Sequence, residues 1–353
     1  MALKSGNCVL LTGVTGFLGK VVLEHLVRQR EELHCHKIVV LIRGKNGKDG
    51  DERFEDGVAS SKCFSLLPEA WTDLVEVVDG DLETSELSLV PTTYERLCTE
   101  VTHIIHCAGC VKFDQSMAEA ADTNVSTTLN VLSFAKKCTQ LQHLITTSTA
   151  YVTPHRCGPI FETLSPLPQP AEDLHKSILK GEMSDARILE YTQHPNTYTL
   201  SKCITEHLLV ADHGSVPLTI VRPSIISASW RFPFPGWIDS VSAFAGFLFA
   251  FANGLLRVIN ADVNTILDVI PVDEVAAQLV NAAFQKKDSP SGVSILYSTA
   301  SLHNGMDISL VSSNTPEYFT HSRVASIRSP KLRYLGSRTP LFYFYDLSNE
   351  ISE

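Results

Sequence analysis

The chain has 353 residues, of which 44% are hydrophobic and 19% charged, and a formal net charge of −10. That is enough for one large α/β domain or two smaller ones with a sizeable core, and it excludes overall disorder. The acidic balance argues against a nucleic-acid-binding surface and against general attraction to anionic membranes, but not against a local basic pocket for a phosphate.

Residues 1–7 are too short and polar for a secretory signal, and the 9 cysteines are scattered and odd in number. Free thiols in a cytoplasmic protein are the expectation. Cys107-Ala108-Gly109-Cys110 is a lone C-x-x-C without a second pair at zinc-finger spacing, so no metal is expected.

Cys8–Leu11 suits a buried parallel strand. Thr12-Gly13-Val14-Thr15-Gly16-Phe17-Leu18-Gly19 follows as a glycine-spaced turn, and Val21–Val27 continues with helical apolar spacing. Strand, turn and helix in this order are the context a dinucleotide-binding turn needs, here in the variant G-x-x-G-x-x-G. Gly13 can take the tight turn, Gly16 lets the backbone approach a pyrophosphate, and Gly19 lets helix and strand pack closely at a helix N-terminus that favours anions.

Lys37–Ile42 reads as the second strand. It runs into Arg43, with Lys45 and Lys48 following and no carboxylate at the strand end. A guanidinium there suits a 2′-phosphate, so NADPH is expected over NADH. The competing reading makes Arg43 a solvated loop charge. Residues 44–61 read as a loop leading into a helix. Leu74–Leu82 is a third strand with a turn, which places Asp81 and Leu82 at the sheet edge beside a bound adenine, or makes Asp81 an ordinary turn residue. Thr102–Gly109 is a fourth strand, and the small residues Cys107, Ala108 and Gly109 at its end would let a cofactor pass close to the backbone. Asn124 opens a helix-like run to Leu132. Gln142–Thr147 is the fifth strand, leading into Thr147-Ser148-Thr149-Ala150-Tyr151-Val152 and stopped by Pro154. Residues 153–195, with several prolines (Pro154, Pro159, Pro166, Pro168 and Pro170), read as an inserted loop plus a helix. Tyr198–Val210 is helical, and Leu218–Pro223 is the sixth strand.

Tyr198 and Lys202 stand four apart on the predicted helix and so share a face. A free phenol, with a pKa of about 10, is a poor acid–base group at neutral pH. A neighbouring ammonium would lower that value, and the tyrosine could then donate a proton to a developing alkoxide. Lys202 could also hold the nicotinamide ribose, and Ser148 or Thr149 offers a hydroxyl to orient a carbonyl.

This constellation resembles the extended short-chain dehydrogenase/reductases, and more closely the reductase domains of fatty acyl-CoA reductases and thioester reductases. The likeness rests on the turn Thr12–Lys20, His106–Asp114, Ser148–Val152, Pro195–Lys202, Val221–Ile226 with Ser229–Asp239, and Ile270–Val275. It covers about Cys8 to Tyr297. It implies a doubly wound parallel sheet over residues 1–222, and a mainly substrate-binding region over 223–353 with segments returning to the core. It places the catalytic hydroxyl at Thr149, and adds Asn124, Pro223, Ser224 and Ile225 to the residues expected at the cofactor. The implied activity is NADPH-dependent reduction of a fatty acyl-CoA or carrier-bound acyl thioester to the aldehyde, with a second hydride giving the alcohol. A ketone or aldehyde reductase and a non-catalytic nucleotide sensor are the alternatives; intact Thr149, Tyr198 and Lys202 argue against the sensor. The stretch from about Ser298 to Glu353 matches nothing in the resemblance. Ser240–Leu256 is strongly apolar but short for a membrane span, which needs about 20 residues. It reads as a buried helix, an acyl-pocket wall or a membrane-docking face.

Overall fold

Strands buried on both faces read as unbroken apolar runs, because a parallel sheet carries helices on each side. The computed structural model describes residues 6–154, 158–252, 258–259, 265–285, 292–300, 305–311, 314 and 333–334. Six apolar runs form β1 (Asn7–Thr12), β2 (Cys35–Ile42), β3 (Val75–Asp79), β4 (His103–His106), β5 (His143–Thr147) and β6 (Leu218–Pro223). Short strands β7 (Ile225–Ser227), β8 (Val258–Ile259), β9 (Ile266–Leu267) and β10 (Val269–Pro271) precede β11 (Val293–Ser298). One seven-stranded sheet runs in the order β11-β6-β5-β4-β1-β2-β3, and every pair in it is parallel. This is a doubly wound, Rossmann-like sheet whose order reverses between β1 and β4, where such sheets open a crevice at the carboxyl ends of the strands. The sequence reading did not include β11. It is an edge strand, mostly half-buried, and its pattern lacks the full burial that made the other strands legible.

The helices are α1 (Phe17–Arg28), α2 (Gly50–Phe54), α3 (Pro91–Glu100), α4 (Met117–Ala120), α5 (Thr127–Ala135), α6 (Ala171–Leu179), α7 (Asp185–Thr192), α8 (Thr197–Asp212), α9 (Ala243–Ala252) and α10 (Val272–Phe284). The helix-like run opening at Asn124 begins inside a single π-type turn, Ala121–Ser126, that joins α4 to α5. The proline-rich stretch holds two helices rather than one. Ala171, Leu174 and Ile178 of α6 and Ile188 of α7 pack with Met117, Ala120, Leu200, Ile204 and Leu208 into one buried cluster. That cluster fixes α8 from its outer side. A second cluster, including Leu10, Val39, Leu97, Ile104, Leu132, Phe134, Leu144 and Ile220, packs α3 and α5 on the sheet.

The chain divides into two compact units: Met1–Ser224 with Ala228–Ile238 and Pro271–Ser298, and Ile225–Ser227 with Asp239–Ile270 and Thr299–Glu353. Within the first, Asp273 in the opening turn of α10 is buried. Its carboxylate accepts the amide protons of Trp230, Arg231 and Phe232 at 2.7, 2.8 and 3.1 Å. Trp237 lies on Phe17 with ring centroids 5.4 Å apart, and the Arg28 guanidinium lies 3.7 Å from the Phe232 ring centre. Within the second unit, α9 has 10 residues and rises about 15 Å, half the roughly 30 Å of a bilayer core. No helix among the described residues is long and apolar enough to cross a membrane. Phe251 is buried and Phe249 exposed, so the helix is not simply buried. The last residues of the apolar stretch, 253–256, lie outside the described residues, as does most of 298–353.

Candidate active site

The turn between β1 and α1 is shaped by what its glycines meet. Gly13 has φ +78°, and a Cβ there would come 2.5 Å from the Ala108 amide nitrogen. A Cβ on Gly19 would collide with the Gly13 carbonyl, so this glycine closes α1 onto its own turn. Gly16 differs. A Cβ there would meet one atom of the chain, the Gly13 oxygen at 3.3 Å. It stands at the N-cap of α1 with no side-chain cap, leaving the first amides of the helix for another acceptor. Thr15 is exposed, and Phe17 and Leu18 are half-buried.

Thr12 is fully buried, and its hydroxyl is committed inside the fold. It lies 2.7 Å from His106 Nδ1 and accepts the Ala108 amide proton at 3.4 Å. His106 Nε2 lies 3.1 Å from the Thr128 hydroxyl, whose own proton goes to the Asn124 carbonyl at 2.7 Å. Thr128 therefore accepts from Nε2–H, and Thr12 donates to Nδ1, which fixes the tautomer. Thr12 thus ties β1 to β4 and keeps its side chain away from a ligand. Asn124 is used in the same way. Its amide oxygen accepts from Cys110 N at 2.8 Å, and its NH2 donates to Cys110 O and to Ser201 Oγ, each at 3.1 Å. It staples the segment after β4 to α8. Cys107 and Cys110 are free thiols, and no metal-binding cluster occurs among the described residues.

Helix α8 starts at Asn196, whose side chain accepts the Thr199 amide proton at 2.9 Å. The cap fixes where Tyr198 and Lys202 emerge. Lys202 is buried and donates to the Thr147 carbonyl at 3.0 Å. Burial pulls its amine down to about 8, against an upward pull from Glu206. Burial pushes the Tyr198 phenol up to about 12, while a hydrogen bond with the Thr149 side chain pulls it the other way. The expected lowering by Lys202 does not occur: burial dominates, and Cys110 adds to the rise. Thr149 also accepts the Tyr151 amide proton at 3.3 Å. The adjacent Ser148 is held through its backbone, N to Val221 O at 2.7 Å, and its buried hydroxyl has no partner among the described residues. The structure thus brings Thr149 to Tyr198, and Lys202 to the ends of β4 and β5: a Cβ on Gly109 would lie 3.1 Å from Lys202 Nζ and 3.2 Å from Asn124 Oδ1.

Arg43 does extend from the end of β2, but not into carboxylate-free surroundings. It donates to Glu83 Oε1 at 2.6 Å and to Asp81 Oδ2 at 3.5 Å, both from the turn after β3. Asp81 also accepts the Glu83 amide proton, while Leu82 packs against the sheet's core. Pro223 ends β6. Ser224 donates its amide proton to Ser298 O at 2.9 Å, and its buried hydroxyl has no partner among the described residues. Ile225 belongs to the second unit, its amide bonded to Asp268 O at 3.1 Å.

These features fit a dinucleotide. The helix N-terminus is uncapped at Gly16, Gly109 lets the Lys202 amine come close to the backbone after β4, and Ser148 and Ser224 present buried hydroxyls without partners among the described residues. Phe113 was not among the expected site residues. Its ring is exposed and lies 5.7 Å from that of Tyr198. No local spacing signals such a pair, since it depends on the segment after β4 folding across α8.

A family model described as male sterility protein matches residues 11–279. Among curated proteins, the chain is 35% identical to fatty acyl-CoA reductase 1 of Gallus gallus over 79% of this chain and 55% of that protein. It is 33% identical to fatty acyl-CoA reductase 2 of Mus musculus over 78% and 54%. The chain therefore spans about half the length of the curated relatives it matches. Among solved structures, the terminal R domain from the myxalamid PKS-NRPS biosynthetic pathway shares the fold, with a TM-score of 0.68 and 24% identity over 99% of this chain and 78% of that one.

Proposed function

The chain belongs to the male sterility protein family of NAD-binding domains, and from that premise we propose that it reduces acyl thioesters with NADPH. The observation that carries the reading is the Thr149 side chain set against the Tyr198 phenol, beside a buried Lys202 at the carboxyl ends of the strands.

Gly13, Gly16 and Gly19 would hold the pyrophosphate at the head of α1, with Cys107–Gly109 as the wall beside it. Arg43 would meet the 2′-phosphate and Lys202 the nicotinamide ribose. The bound cofactor supplies a hydride to the thioester carbonyl carbon. Thr149 donates a hydrogen bond to the carbonyl oxygen, polarising it. Tyr198, held in its phenol form, gives its proton to that oxygen as charge develops. A hydrogen-bond-donating phenol is the form reduction requires, so the upward shift of Tyr198 suits this direction. The resulting hemithioacetal loses thiol and leaves the aldehyde, and a second round gives the alcohol.

Incubation with NADPH and a panel of acyl-CoAs, aldehydes and ketones tests this through loss of nicotinamide absorbance and product identity. Consumption with acyl-CoA, releasing free thiol, is expected. Consumption with ketones alone would make the chain a carbonyl reductase, and consumption with none would overturn catalysis.

A further inference from the structure

Lys202 lies in a place where an ammonium is disfavoured. It is 5% exposed, and Glu206, one helical turn further along α8, is 1% exposed. Residues four apart share a helix face, so the carboxylate stands beneath the amine. Arg222 of β6 grips that carboxylate with both arms, Nε to Oε1 at 2.9 Å and Nη2 to Oε2 at 2.5 Å. Its remaining nitrogen donates to the Tyr297 hydroxyl of β11 at 2.8 Å. The guanidinium is 0% exposed and also lies 5.2 Å from the Tyr297 ring centre. A buried ion pair with this geometry contributes little net stability against an apolar pair of the same volume, so its presence calls for another reason.

Resting on the reductase reading above, we propose that Glu206 is a positioning residue for Lys202. Arg222 and Tyr297 fix its carboxylate one turn from the Lys202 amine, where it keeps that buried group charged and aimed at the site.

The other groups facing Lys202 cannot do this. From α8, Cys203 has its thiol pushed up to about 12 by burial, and Tyr198 is a phenol. From the end of β4, burial pushes the Cys107 thiol up to about 11. Burial holds His106 of β4 down to about 3, with Lys202 adding to the effect. All four are uncharged at neutral pH. From β5, Thr147 offers a carbonyl dipole and no charge. From β6, Arg222 is a cation and would repel the amine were Glu206 not between them. Glu206 is the anion among these groups.

The test needs no turnover. Lysines are labelled with carbon-13 at Cε, the Lys202 resonance is assigned by loss in Lys202→Arg, and each cofactor-free protein is titrated by NMR. Wild type should titrate near 8. Glu206→Gln should lower the midpoint by about one pH unit or more, and Arg222→Met, which leaves the carboxylate to Lys202 alone, should raise it. Opposite signs are the signature; a packing role alone would move both the same way or neither. Should the single variants not fold, Glu206→Leu with Arg222→Met replaces the pair by apolar side chains, and its midpoint should also fall. A midpoint held at the wild-type value there overturns the proposal. If acyl-CoA is not reduced but the midpoints move as stated, the reductase reading falls and the linkage of Glu206 to Lys202 stands.

Discussion

Arg43 Nη1 lies 2.6 Å from Glu83 Oε1, so the cation at the end of β2 is already paired. A 2′-phosphate must compete with that carboxylate for the guanidinium. Both side chains are about half exposed, which makes the pair weak and exchangeable. Glu83→Gln should therefore tighten NADPH binding and leave NADH unchanged. Arg43→Ala should weaken NADPH by about tenfold, near the low end for one charge-assisted contact, with little effect on NADH. Fluorescence titration with both cofactors checks this, and equal effects would make Arg43 a loop charge.

The three glycines of the cofactor turn should fail in different ways. Gly13→Ala strains a positive φ and drives a methyl into the Ala108 backbone, so it should cost more than about 2 kcal/mol of stability. Gly19→Ala should also destabilise, because α1 cannot retreat from its own turn. A Cβ on Gly16 would meet the Gly13 oxygen at 3.3 Å and no other atom within 4 Å, so Gly16→Ala should destabilise far less than the other two. Its loss should fall on cofactor affinity, since its methyl would occupy the place of the pyrophosphate. Melting curves and titrations on the three variants separate these outcomes.

Tyr198→Phe should leave fold and NADPH affinity intact and lower hydride transfer by roughly 10²–10⁴. Lys202→Ala should lose transfer and bind NADPH more weakly. The Thr149 side chain acts on the Tyr198 phenol and Ser148 is not among the groups that do, so Thr149→Ala should impair transfer more than Ser148→Ala. Single-turnover kinetics decide the order, and a wild-type rate in Tyr198→Phe would end the mechanism as drawn.

Acid should unfold the chain through its histidines. Burial holds His25 and His103 down to about 4 and His106 to about 3, whereas the unfolded chain takes up these protons near about 6.5. The unfolded state binds more protons between those values, so stability is fully present above about pH 6.5 and is lost as pH falls toward 4. Urea midpoints at pH 7, 5.5 and 4.5 should fall in that order. His103→Asn should be less stable at pH 7, having lost its stack on Phe284, but should decline less steeply with acid.

Six strands and the cofactor turn were legible because each is a local pattern: an apolar run, or glycines at fixed intervals between a strand and a helix. The face shared by Tyr198 and Lys202 follows from helical spacing alone. What the sequence withheld is non-local. The Glu83 partner of Arg43 arrives from the next strand, and the sign of the Tyr198 shift depends on how much water the fold removes. Thr12 and Asn124 stand where a ligand contact was expected, yet their side chains join β1 to β4 and the segment after β4 to α8. Spacing cannot distinguish a polar side chain facing a ligand from one fastening two loops.

The grip of Asp273 on residues 230–232 bears on how this chain tolerates change. It draws together the two stretches that flank the excursion through residues 239–270. Both ends of that excursion are thus tethered at one place in the first unit. Lengthening a flexible connection whose ends are already held costs little, about 0.6 kcal/mol for each doubling. Insertions and deletions within it should therefore leave the seven-stranded sheet standing, and the segment is free to diversify in size while the residues at its base stay in register.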